Sequence, residues 1–94
     1  MSLHTIKTIG TTTFANCGED KQPLLRLNPN VPTEHALEHV AALLTCINEL
    51  TLDAAMGESG LHATWAAHYL GEMAKAIVDD SLASFCASRL MDDQ

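Results

Sequence analysis

The sequence predicts a mainly α fold, α+β at most: an antiparallel helical hairpin behind short N-terminal strands, dimerising into a four-helix bundle. Three observations predict it. Broad apolar stripes recur at helical spacing over residues 33–56 and 60–90. The breaker run Gly57-Glu58-Ser59-Gly60 separates them. Finally, 94 residues make one small domain, and two such stripes offer more apolar surface than one hairpin can bury against itself. The chain therefore divides into an extended or β-hairpin arm, 1–32, and a two-helix hairpin, 33–94.

In the arm, Thr5, Thr8, Thr11, Thr12 and Thr13 with Ile6 and Ile9 favour a strand over 5–9 or 11–15. The run from Asn16 to Asp20 reads as a turn, and Leu24-Leu25-Arg26-Leu27 as a second strand closed by Pro29 and Pro32. Two short strands are barely stable alone, so they need the helices or another subunit as support.

Thr33 is the expected N-cap of the first helix, with Glu34 and Glu38 near its positive end. On a wheel, Leu37, Val40, Ala41, Leu44, Ile47, Thr51, Ala54 and Ala55 form the inner face. Leu43 and Leu50 widen it on one side and Leu52 on the other. Ser59 is the expected cap of the second helix. Its inner face runs through Ala63, Ala66, Leu70, Met73, Ala74, Ile77, Ser81 and Ser84, with Phe85 on the shoulder. The small residues in that stripe allow close helix approach. His68, Glu72, Lys75 and Asp79 form the opposite, polar face, and the tail after Leu90 is expected to fray.

Charge excludes some function classes. The net charge is −7, and from residue 33 onward only Lys75 and Arg89 face ten acids. Phosphate-backbone binding needs clustered Lys and Arg, so neither nucleic acid nor an anionic membrane is an expected partner. No signal segment or membrane-spanning apolar run is present. Cys17, Cys46 and Cys86 share no close-spaced motif. These features predict a soluble cytoplasmic chain with reduced thiols, Cys46 and Cys86 half-buried and Cys17 in a loop.

No constellation supports catalysis or a cofactor. His35 and His39 have ligand spacing, but Cys46 lies about 10 Å further along the axis, too far for one zinc on a straight helix. Glu49 with Asp53, and His68 with Glu72, project away from the apolar stripes. A di-metal bundle needs inward carboxylates and repeated Glu-x-x-His units, which this chain lacks. There is no nucleophile elbow and no phosphate-cradling glycine pattern.

The run Thr8-Ile9-Gly10-Thr11-Thr12-Thr13-Phe14, then Cys17-Gly18, Pro23-Leu24-Leu25-Arg26-Leu27, Pro29, Val31-Pro32 and Ala36-Leu37, resembles domain of unknown function family 3077, small uncharacterised pseudomonad proteins. The run from Trp65 to Ala76 resembles it as well, so the likeness covers almost the whole chain. It implies a soluble bacterial cytoplasmic protein and transfers no activity. A more distant comparison is with a small helical anti-activator of quorum sensing, similar in size and in expected helical-dimer form. That protein occupies the ligand-binding domain of a transcription factor. No contact residue carries over from it to a position here, so it lends support only to a mechanism class.

The expected function is therefore a non-catalytic homodimeric protein-interaction or regulatory module, in an anti-activator-like mode and without cofactor or metal. Leu44, Ile47, Asn48, Leu70, Met73 and Ile77 form the expected dimer seam, the Asn48 amide either setting its register or lying at the rim of a wide stripe. Trp65 and Tyr69, one turn apart at the edge of the inner stripe, are the expected anchors for a protein partner, with Glu72 and Asp79 as polar surroundings, unless the strand-like N-terminal segment packs over them within the subunit. The alternative is a small hydrophobic-ligand module with a pocket between Leu44, Met73 and Ile77 at the dimer centre.

Overall fold

Helix propensity and a glycine break set the architecture. In the computed structural model, residues 6–57 and 60–92 are described. They form strands β1, Thr13–Cys17, and β2, Gln22–Arg26, then helices α1, Thr33–Ala55, and α2, Gly60–Asp92. Gly57 takes φ +77°, and its N–H reaches the Ala54 carbonyl at 3.1 Å, closing α1 as a left-handed glycine does. Gly60, at φ +60°, opens α2, and the two helices pack against each other. The expected Ser59 cap lies outside the described residues, as do Thr5 and the last two residues of the tail. Helix α2 continues past Leu90 to Asp92.

The arm is an antiparallel β1–β2 hairpin that pairs Phe14 with Leu25 and Asn16 with Pro23. Strand β1 starts later than expected and takes in Cys17, so the turn shrinks to residues 18–21, with Gly18 and Lys21 both at positive φ. Residues 6–8 do not join this sheet. They run along the segment leading into α1: Thr8 N–H donates to the Val31 carbonyl at 2.8 Å, Asn30 N–H to Thr8 at 2.9 Å and Thr33 N–H to Ile6 at 2.8 Å. That pairing displaces the expected Thr33 cap. The helix starts behind Pro32 with no side-chain cap, and Thr33 is a buried first-turn residue. A backbone acceptor from the arm takes over part of the role of a capping hydroxyl.

Gly10 shows how tightly this arm folds back. It sits at φ +86°, and a Cβ there would lie 2.7 Å from both the Cβ and the backbone N of Pro29. Gly10→Ala should therefore lose about 2–4 kcal/mol of stability, combining left-handed strain with a backbone clash. A urea melt of the purified variant checks this.

The main fastening of the arm is Asp80. This carboxylate is 1% exposed and accepts the Ile9 N–H at 2.8 Å and the Gly10 N–H at 2.9 Å, one on each oxygen. Ser84 Oγ, one turn along α2, donates to the Asp80 backbone carbonyl at 2.8 Å and lies 3.2 Å from the carboxylate. A buried carboxylate needs such donors, and here the arm's backbone supplies two of them.

The interior is built of small residues. Buried apolar side chains among the described residues are Ile6, Ala36, Val40, Ala63, Ala74 and Ala76. On α1 the inward stripe is Ala36, Val40, Leu43, Ile47, Leu50 and Ala54, rotated roughly 60° from the expected one. Leu37, Ala41, Leu44, Thr51, Leu52 and Ala55 are left exposed. On α2 the expected stripe faces inward at Ala63, Ala66, Leu70, Ala74, Ile77, Ser81 and Ser84, but Met73 is exposed. Alanines and serines bring the helices close, so the larger side chains are left at the flanks.

Candidate functional site

Trp65, His68 and Tyr69 lie at i, i+3 and i+4 on α2, which puts them side by side on its surface. Their ring centroids are 6.0 Å apart for Trp65–His68, 6.1 Å for Trp65–Tyr69 and 5.8 Å for His68–Tyr69. Trp65 is 53% and Tyr69 54% exposed. The expected anchors therefore stand together on the outside, and His68 joins them as a third member that pattern reading places on the polar face. The i, i+3 spacing from Trp65 is the signal that identifies it.

The two expected acidic neighbours are already engaged. Glu72 Oε1 lies 3.1 Å from His68 Nε2, and Glu72 Oε2 accepts the Ala15 N–H at 3.0 Å. Ala15 is a left-handed residue at φ +59°, so this bond holds a turned point of β1 against α2. Asp79 pairs with Lys75 at 2.8 Å on the exposed side of the helix. A surface pair of this kind contributes little to stability, typically below about 1 kcal/mol. Phe14, Asn16, His68, Glu72, Lys75 and Asp79 line an open groove of about 460 Å³ between β1 and α2, so α2's polar face supports the strand.

The six expected seam residues fall into two groups. Ile47, Leu70 and Ile77 are half-buried, whereas Leu44, Asn48 and Met73 are exposed. Met73 and Val78 are about 140° apart around α2, so they belong to different sides of the hairpin. Leu44 is two turns from Leu37 on one stripe of α1, and Leu37 meets Val78, Leu82 and Phe85 across a groove between the helices. One side of the hairpin is thus apolar and open at Leu37, Leu44, Val78, Leu82 and Phe85.

Among the described residues, no group of three or more His, Cys, Asp or Glu side chains is placed to hold a metal ion. His35, His39 and Glu49 are exposed and Asp53 is half-buried. Cys17, Cys46 and Cys86 are free and exposed, which corrects the half-buried setting expected for the last two. A wheel that mixes alanines with thiols places the edge of the buried stripe poorly. No described helix is long and apolar enough to cross a membrane.

Sequence reading missed Asp80. It sits three residues after Ile77 and four before Ser84, both inward-facing, and an acid framed by inner-face residues is the signal that marks it.

Neither a curated protein nor a solved structure matches the chain. A family model does match, over residues 8–84, a span that includes Gly10, the aromatic cluster, Asp80 and Ser84. The chain belongs to the family described as Protein of unknown function (DUF3077).

Proposed function

We propose that the chain is a non-catalytic homodimeric protein-interaction module, with the open apolar side of each hairpin packed on its copy and the Trp65–His68–Tyr69 cluster presented to a protein partner. The observation that carries this reading is the inversion of size between inside and outside: alanines are buried, while Leu44 is 49%, Leu82 60% and Phe85 42% exposed. The chain's accessible surface is 6738 Å², against roughly 5,300 Å² expected for a folded monomer of its mass. Its radius of gyration is 15.8 Å, against about 12 Å for a rounded domain of this length, and its thinnest dimension is 17 Å. A slab this thin cannot enclose its own large side chains. A second slab laid on the open side supplies the missing layer, and the excess surface exceeds the roughly 800 Å² per partner that a standard interface buries.

The partner surface is tested separately. Trp65→Ala removes a half-exposed ring that is not part of the buried interior, so fold and dimer should persist. Capture of a specific protein from host-cell lysate at near-physiological salt should fall at least about tenfold, as expected for a central aromatic anchor. Unchanged capture, or loss of the dimer, would remove Trp65 from the partner surface.

A further inference from the structure

The Trp65 and His68 rings stand nearly perpendicular, 88° between their planes, and with Thr64 they line an open recess of about 310 Å³. Tyr69, tilted 32° from Trp65, extends the aromatic surface. His68 also lines the groove that holds Glu72 and Asp79, so recess and groove form one continuous surface. That surface faces away from the side assigned to the second copy, since Trp65 and Val78 are about 140° apart around α2. The two acids in the groove differ in how their charge is met. Asp79 is paired with Lys75 at 2.8 Å. Glu72 has the Ala15 N–H and the His68 imidazole as partners, and its side chain is 32% exposed. A carboxylate has about four lone-pair sites, so these two partners leave others open to a guest. On the protein-interaction reading, on which this rests, we infer that the partner presents an arginine here. Its aliphatic stem lies across Trp65 and His68, and its guanidinium pairs with Glu72.

Three observations select arginine. Charge favours a cation: the net charge is −7, and from residue 33 onward Lys75 and Arg89 face ten acids. Exposed rings then discriminate among cations, because π faces attract positive charge and a planar guanidinium stacks where an ammonium does not. Spacing sets the length. Trp65 and Glu72 are about 10 Å apart along the helix axis, so the guest needs an apolar stem on the rings and a charge beyond it. An acidic guest would meet Glu72 as a like charge, and an apolar one would cover that carboxylate without pairing it.

Trp65 is the chain's one tryptophan, so its fluorescence reports this surface alone. Wild-type protein is titrated with a capped glycine-arginine-glycine peptide and with its lysine and citrulline counterparts. Citrulline keeps the shape of arginine and removes the charge. NMR on the same samples locates the shifts. The arginine peptide should bind saturably, at least about fivefold more tightly than citrulline and about twofold more tightly than lysine. Shifts should centre on Trp65, His68, Tyr69 and Glu72. Glu72→Gln keeps an acceptor for the Ala15 N–H and should bring arginine and citrulline to equal affinity. Glu49→Gln, at an exposed position on α1, removes the same charge elsewhere and should leave the preference unchanged. Trp65→Leu, read by NMR, leaves the β1 contact untouched and should weaken arginine binding at least about threefold. Equal affinity of wild type for arginine and citrulline, no saturable binding, or a preference that survives in Glu72→Gln would overturn the proposal. Loss of lysate capture in Trp65→Ala without any arginine preference in wild type would overturn it too, and leave the protein-interaction reading standing. Arginine preference with capture unchanged in Trp65→Ala would reject that reading and leave the guanidinium site.

Discussion

Leu44→Glu should convert the protein from a species of twice the 10.1 kDa chain mass into a folded monomer. Leu44 is 49% exposed in the single chain, where a surface substitution costs no more than about 0.5 kcal/mol. In the proposed dimer the same position lies on the apolar side of α1 with Leu37, and a glutamate there must either bury an unpaired charge or prevent docking. The penalty is several kcal/mol per copy and applies twice in a two-fold interface, enough to raise the dissociation constant by a factor of a thousand or more. Light scattering after gel filtration reads the mass, and far-ultraviolet dichroism shows whether the helices persist. Leu24→Glu is the matched control: Leu24 is 71% exposed but lies on β2, away from the helical side, and this variant should stay dimeric.

Asp80→Ala should produce the largest loss of stability from a single side chain. The carboxylate binds two backbone N–H groups of the arm, so its removal orphans donors at Ile9 and Gly10 in one step, while Ser84 Oγ keeps its 2.8 Å bond to the residue-80 carbonyl. Hydrogen bonds to a charged acceptor contribute about 1.5–3 kcal/mol each, and buried donors without an acceptor add their own desolvation cost. A loss of about 3 kcal/mol or more is expected, which lowers the melting temperature of a domain this size by roughly 10–20 °C. Hydrogen exchange should show the loss first at Ile9 and Gly10, before the helices open. Asp80→Asn keeps acceptor capacity on one oxygen only and should fall between alanine and wild type. If Asp80→Ala melts like wild type, the arm is held by Ile6 and the Thr8–Val31 pairing instead.

The hairpin is legible in the sequence because its signals are local. Gly57 and Gly60 break the chain where no long helix can continue, and the stripes on either side recur over enough turns to define their period. The centre of the α1 stripe is not legible. Leu37, Leu44 and Leu52 are as apolar as Leu43, Ile47 and Leu50, and only tertiary packing decides which set turns toward α2. The choice falls on the side where the alanines and serines of α2 permit close approach. Thr33 is missed as a buried residue because its fate depends on pairing with Ile6, remote in sequence. Asp80 is missed for the same reason, since its donors lie more than 60 residues away.

The candidate interaction site is legible in part. Trp65 and Tyr69 are exposed and adjacent, as a helical wheel allows, and His68 completes their cluster. Glu72 is shared between His68 of this cluster and Ala15, whose left-handed turn no period-two pattern foreshadows. Leu44 belongs to the open apolar side, while Ile47, Leu70 and Ile77 are half-buried and Met73 lies around the helix from Val78.

The central claim is that two copies meet through the helical side bearing Leu37, Leu44, Val78 and Leu82. Isotope-filtered NOE spectroscopy on a mixture of labelled and unlabelled chains tests it most directly, because every cross-peak it retains arises between subunits. The account predicts intersubunit peaks from the methyls of those four residues and none from Leu24 or Leu25 of β2. Intersubunit peaks confined to the arm, or none at concentrations where sedimentation shows a single chain, would contradict it.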